Sequence, residues 1–427
     1  MLRPGRRCQW GLAVIGWVLG LPAALLAEVP VEPVGKSEVL PRAFDPHWVW
    51  ASDGLIERLN LVDADDGRFL GQIDSGWGMP GILFSPAKGE LYVPETYFSR
   101  GTRGERSDVT TVYDATSLAP VAEVAMPPKR AINPLPTGNA ALSDDERFLA
   151  VFNMDPATSL SIVDTATRSL AAEIPTPGCS LAYAAGPRRF AALCADGALL
   201  AIDLDDAGQL ARRTRSAPFF DPEADPVTEK AVRWGNRWLF VSFEGWVHEV
   251  DLAGDEPRFE TPWSLLDERD REQSWRIGGL QHLALHQSSG RLFSLVHRGG
   301  PDTHKDAGTE IWVYDLATRE RVQRIEAHNP GPSVMGYPLQ FGPDWLYRFA
   351  LDTLMPAIGV DMIAVTQDDA PLLVTGAMYT AGLCVYDARS GELLRRIFTG
   401  GMTAQVLTTL PHLPAAATHE APNRRTP

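Results

Sequence analysis

The chain has 427 residues, with 54 acidic against 39 basic side chains, 44% apolar and 22% charged residues, and an abundance of turn formers in 37 Gly and 34 Pro. That composition can bury a sizeable core, which excludes a disordered chain or a small scaffold dependent on disulfides. A net charge of −15 with no large Lys/Arg cluster excludes a nucleic-acid binder, because neutralising phosphates takes a basic face.

Residues 1–27 read as a cleaved signal peptide. Arg3, Arg6 and Arg7 supply the basic start, Trp10 to Leu21 the apolar stretch, and Ala23, Ala24 and Ala27 the small residues before the cut. The rival reading is an uncleaved anchor, since the apolar run through Ala27 just reaches spanning length; Pro22 and the lack of a following basic cluster favour cleavage. Cleavage after Ala27 removes three Arg and no acid, so the exported chain would carry −18 and no membrane span. Residues 28–45 are expected to form an N-terminal extension, 46–411 the folded body and 412–427 a flexible tail.

The body repeats itself. Short apolar runs ending in Asp63, Asp114, Asp164, Asp203, Asp251, Asp315 and Asp387 recur at spacings of 39 to 72 residues, each followed by a turn and a second short strand. An Asp there can accept hydrogen bonds from backbone N–H groups two or three residues on, so these acids punctuate structure rather than form a catalytic series. Between them lies another strand pair, such as Gly81 to Phe84 with Glu90 to Val93, or Asp361 to Val365 with Pro371 to Val374. Four short strands per repeat and seven repeats predict an all-β, seven-bladed β-propeller of four-stranded antiparallel blades. The two or three domains that length alone suggests give way to one. Closure of the ring needs a strand from the opposite terminus, a task that His47 to Trp50 could share. One helix is expected over Trp263 to Arg271, capped by Ser264.

Cys8 leaves with the signal. Cys179 and Cys194 sit at the ends of what read as adjacent antiparallel strands, and a disulfide between them would contribute about 3 kcal/mol in an oxidising compartment; two buried thiols are the alternative. Cys384 lies in the strand Leu383 to Tyr386 and reads as a small core residue. His282 and His286, and the group His297, His304, Lys305 and Asp306, are the candidates for metal ligation, although strand alternation alone places the first pair on one face. Asp108, Asp302 and Asp306 read as solvated loop acids. No nucleophile elbow, zinc-protease motif, phosphate loop or dinucleotide fingerprint occurs. An exported propeller without a catalytic constellation fits a partner-binding subunit; a stand-alone metal-dependent hydrolase or ligand-binding module is the alternative.

The segment Pro94 to Val109, with its Phe-Ser-Arg-x-x-Arg-Gly-Glu-Arg core, resembles the heavy subunit of the quinoprotein amine dehydrogenases, as do Trp275 to Gln281, Thr303 to Asp306 and Ala404 to Thr409. The match keeps consistent order from about Arg42 to Pro411, and the Cys179 to Cys194 spacing resembles that family's heavy-chain disulfide. The resemblance implies a periplasmic complex of two heavy and two light chains. It implies no cofactor here, since the light subunit holds a tryptophan tryptophylquinone. Primary amines would become aldehyde and ammonia, and electrons would pass singly to a blue copper protein such as amicyanin or azurin. It further implies that the loop after the first strand walls the substrate channel. Leu55 and Ile56 are the matching residues here, although the loop is about four residues shorter than in methylamine dehydrogenase proper, which leaves the preferred amine open. Arg100, Arg103, Glu105, Arg106 and Asp108 are expected to brace blades or meet the light subunit, because charges packed this densely are costly unless paired.

Overall fold

The seven apolar runs that end in Asp form the third strands of seven antiparallel sheets arranged as a β-propeller in a computed structural model, which describes residues 39–132, 137–339, 342–354 and 359–412. The proposed signal peptide, most of the N-terminal extension and nearly all of the C-terminal tail lie outside the described residues. Blades are numbered from the N-terminus. Blade 1 contains Trp48–Asp53, Arg58–Asp63 and Phe69–Asp74; blade 2 runs from Leu83–Ser85 to Pro120–Met126, blade 3 from Ala140–Leu142 to Ser169–Pro175 and blade 4 from Cys179–Gly186 to Leu210–Arg215. Blade 5 begins at Val232–Trp234 and blade 7 at Met362–Val365, while in blade 6 both Trp275–Ile277 and Leu283–His286 pair with Arg291–Arg298.

Each buried cluster lies between neighbouring blades. In Trp48–Asp53, Trp48 and Trp50 pack toward blade 2 with Leu91 and Val93, while the alternate Val49 and Ala51 pack toward blade 7 with Val374 and Val385. Strands such as Phe148–Asn153 are buried at every position for that reason, and their sequence is an apolar run, Phe148 to Phe152, rather than an alternation. The outer strands face water on one side and carry charge, as in Leu210–Arg215.

Six of the seven repeat acids close their turns as expected. Asp114 Oδ1 accepts from the Thr116 and Ser117 N–H groups at 3.0 and 2.8 Å, and Asp387 accepts from those of Arg389 and Ser390 at 2.9 and 2.7 Å. The fourth residue after the acid is often left-handed: Gly67, Leu118, Arg168, Arg319 and Gly391 have φ of 52 to 76°. Asp203 departs from the pattern. It pairs with Arg189 and Arg212, and Asp205 instead accepts from the Ala207 and Gln209 N–H groups.

Ring closure joins the two ends of the body. The C-terminal strand Val406–Thr409 is the innermost strand of blade 1, antiparallel to Trp48–Asp53, so the N-terminal strand expected to take part in closure occupies the second position. The buried Asp53 carboxylate accepts from the Met402 N–H at 2.6 Å, the Thr403 N–H at 3.0 Å and the Thr403 hydroxyl at 2.8 Å. From blade 6, the Gln281 side chain donates to the Leu407 carbonyl at 2.8 Å and accepts from its N–H at 2.9 Å. Of the extension, Phe44 packs edge-on against Phe84.

Cys179 and Cys194 are direct cross-strand partners in blade 4 and form the disulfide. Cys384 is free and buried, its thiol pushed up to about 12 by burial. The helix is shorter than expected: Glu268–Glu272 is helical, and Asp267 rather than Ser264 caps it, in a reciprocal capping box with Asp270. Trp263–Ser264 pairs with Trp246–Asp251 as a strand, and the Ser264 hydroxyl accepts from the Leu266 N–H, which leaves it no role at the helix start.

Two outcomes follow. Asp53→Ala strips partners from three backbone N–H groups, those of Leu55, Met402 and Thr403, and such orphans cost about 1–3 kcal/mol each where buried, so urea denaturation should show a loss of about 2–5 kcal/mol. Hydrogen bonds from the Thr116 hydroxyl and the Ser117 N–H pull the Asp114 carboxyl down to about 2. Its folded value is below the unfolded value of about 3.9, so its contribution is complete above that pH and fades as pH falls toward 2. Stability of Asp114→Asn, measured by urea from pH 5 to 2, should fall less steeply than that of the parent.

Candidate functional site

In an antiparallel four-stranded blade, the loops joining second to third strands, and each fourth strand to the next blade, emerge at the same end of the ring. The Asp turns are all at the opposite end. Leu55 and Ile56, the Arg-rich segment and His304 therefore share one loop face, although they belong to blades 1, 2 and 6.

On that face Gly54 is wedged so tightly against Gln405 and Met79 that a Cβ there would collide with both. Its N–H donates to Gln405 Oε1 at 2.7 Å and the Leu55 N–H donates to Asp53 at 3.1 Å, so the closing strand fixes the loop. Leu55 projects outward at 61% exposure and Ile56 is half-buried. Trp77, Met378 and Tyr379 are also exposed in loops of this face, as is Tyr97 near the end of the strand Glu90–Phe98. So are Met335 and Tyr337, at 72% and 78%, in the hairpin of Ser333–Val334 with Tyr337–Pro338. Met335 and Gly336 both have positive φ, as a tight two-residue hairpin turn requires. The hairpin is held between loops: Ser333 Oγ lies 3.0 Å from Thr380 Oγ1, and Gly336 abuts Gly400 and Gly401. These exposed side chains lie in loops or at strand ends, where periodicity carries no signal.

The five charged residues of the Arg-rich segment separate into two groups. Asp108 is buried and accepts from Arg106 through both oxygens, at 2.9 and 2.8 Å, from the Thr96 hydroxyl at 2.9 Å and from the Arg130 N–H at 2.7 Å. Arg106 also donates to the Arg130 carbonyl at 2.6 Å, which ties blade 2 to the connection leading into blade 3. Asp108 is thus a buried anchor rather than a solvated loop acid. Arg100, Arg103 and Glu105 are exposed on a turn closed by backbone bonds, and their side chains form no ion pair among the described residues. Arg130, which sequence reasoning passed over, is 5% exposed, and burial pulls its guanidinium down to about 10. Beside it, burial pushes the Glu95 carboxyl upward.

The histidines have separate partners. His282 is wholly buried with Nε2 2.8 Å from the Thr228 hydroxyl, and burial, reinforced by Lys230 and His304, lowers it to about 3, so it is neutral. His286 lies between the Ser289 hydroxyl and the Asp368 carbonyl, His297 meets the Thr303 hydroxyl, and His304 stacks on Phe243. No group of three His, Cys, Asp or Glu suited to a metal is found among the described residues. The mouth of the central channel, between blades 1, 2 and 3, holds a cavity of about 170 Å³ lined by Met79, Ile82, Leu83, Arg130, Ala140 and Val406 among others.

Residues 51–333 match the family model of the methylamine dehydrogenase heavy chain. The methylamine dehydrogenase heavy chain of Paracoccus versutus is 28% identical over 353 residues, covering 82% of this chain and 75% of the relative. That of Methylobacillus flagellatus is 26% identical over 352 residues, 82% of this chain and 80% of the relative. Among solved structures, dihydro-heme d1 dehydrogenase NirN superposes with a TM-score of 0.51 at 18% identity, over 90% of this chain and 78% of that one. A functionally unknown protein from Desulfotomaculum acetoxidans reaches 0.55 at 10% identity, over 86% and 99%. These two likenesses concern the fold alone.

Asp108→Asn leaves the Arg106 guanidinium without its buried carboxylate, a change that costs about 3–5 kcal/mol, whereas Arg103→Ala should stay within about 0.5 kcal/mol. Chemical denaturation compares them, and equal small effects would refute the brace.

Proposed function

Because the chain belongs to the methylamine dehydrogenase heavy chain family, we propose that it is the propeller subunit of a periplasmic amine dehydrogenase, seating a light subunit on its loop face. The observation that supports this reading beyond the family match is the set of apolar side chains standing out of that face, from Leu55 and Trp77 to Met335, Tyr337 and Met378. Soluble monomers seldom expose large apolar patches, and aromatic and Met side chains are typical of interface cores. Arg100, Arg103 and Glu105 suit the charged rim around such a core. The expected assembly is two heavy and two light chains.

The chemistry supplied by a tryptophan tryptophylquinone in the light subunit is oxidation of a primary amine to aldehyde and ammonia, with electrons leaving singly to a blue copper protein of amicyanin or azurin type. This chain's part is to exclude water and shape the approach. Leu55, held outward by the Asp53 and Gln405 contacts, and Ile56 beside it form an apolar wall over the entry to the quinone. A dry wall strengthens electrostatic interactions inside the site and suppresses side reactions. The wall's shape, set by a short loop and by the neighbouring Met79, selects among amines.

Co-expression with the light chain should give amine-dependent dye reduction and a quinone absorbance band; amine oxidation by the purified heavy chain alone would overturn the assignment. Tyr337→Glu and Leu55→Lys should each weaken light-chain retention on a sizing column by about 2 kcal/mol, or about 30-fold, with Arg103→Ala closer to the parent.

A further inference from the structure

The cavity at the channel mouth combines apolar walls with a buried cation that has no acid of its own. Met79, Ile82, Leu83 and Val406 supply the walls, contributed by blade 2, the loop before it and the closing strand of blade 1. Arg130 lines the cavity at 5% exposure. Its guanidinium has one hydrogen bond of ordinary length, Nε to the Thr96 hydroxyl at 3.1 Å. The two terminal nitrogens reach only backbone carbonyls, of Ala131 at 3.4 Å and Trp77 at 3.5 Å, both at the edge of hydrogen bonding.

Charge counting points the same way. Asp108, the carboxylate nearest at hand, is already chelated by Arg106 and accepts only the backbone N–H of Arg130. Glu95 is engaged by the Thr111 and Tyr113 hydroxyls, and burial favours its neutral form. Two guanidinia therefore face one committed carboxylate, and a buried charge needs a partner. Thr137 also lines the cavity, and its buried hydroxyl has no partner among the described residues.

We propose that this cavity binds a small organic carboxylate, with the acid group on the Arg130 fork and the apolar tail against Met79, Ile82, Leu83 and Val406. A planar guanidinium matches a carboxylate through two parallel hydrogen bonds, and the same fixed charge disfavours a protonated amine. A volume of about 170 Å³ exceeds the space of a single water several-fold and suits a short-chain or single-ring acid. The site is independent of the amine dehydrogenase assignment, since it is built within this chain.

Calorimetric titration of the full mature chain with benzoate tests it, with benzamide as the neutral isostere. Saturable one-to-one binding of benzoate, at least tenfold weaker binding of benzamide, and loss of benzoate binding in Ala140→Phe with an unchanged melting temperature are expected. Ala140→Phe fills the cavity and leaves Arg130 in place, so the test does not depend on whether Arg130→Met folds. Equal affinity for the two ligands, absence of saturable binding, or parental affinity in Ala140→Phe would overturn the proposal.

Discussion

Everything on the loop face depends on how the ring is closed. Seven sheets packed face to face leave the first and last with an unpaired edge unless one strand crosses from the far end of the chain. Val406–Thr409 makes that crossing, and the side chains that hold it come from distant parts of the sequence: Asp53 from the N-terminal strand and Gln281 from blade 6. Closure is therefore more than backbone pairing. Asp53 also fixes the Leu55 N–H, and Gln405, at the entry to the closing strand, fixes Gly54. The loop proposed to wall the substrate channel is a by-product of the ring's own lock.

That coupling gives the short first loop its meaning. A longer loop could stand free of the closing strand; this one is pinned at Gly54, so the position of Leu55 varies little unless the closing strand moves. The same strand lends Val406 to the cavity beside Arg130. One C-terminal strand thus touches ring stability, the proposed channel wall and the carboxylate site. Effects of its substitution should be non-additive among the three.

The charged residues illustrate how burial sorts residues that look alike in sequence. Arg100, Arg103 and Arg106 are spaced evenly within one motif, yet only Arg106 reaches a buried acid. The difference is strand geometry: Arg106 and Asp108 begin a strand and lie on the same face, whereas Arg100 and Arg103 are on a turn closed by its own backbone. A similar sorting separates Asp203 from its six counterparts, because two nearby Arg side chains claim its carboxylate.

Repeat number, blade architecture and the cross-strand pairing of Cys179 with Cys194 were legible in the sequence, because each is a local matter of turn chemistry and strand spacing repeated along the chain. The family was legible too, through a contiguous motif from Pro94 to Val109. Helix limits were less so: Ser264 and Asp267 are both good caps, and pairing of Trp263–Ser264 with blade 5 decided between them. What no reading of the chain could supply was the meeting of Met79, Arg130 and Val406 at one cavity, and of Asp53 and Gln281 with the closing segment. These residues come from separate blades and linkers, and only closure of the ring brings them within contact. Periodicity identifies a strand and its faces; which residues of seven separate blades meet is fixed by the ring, whose packing the sequence encodes without displaying.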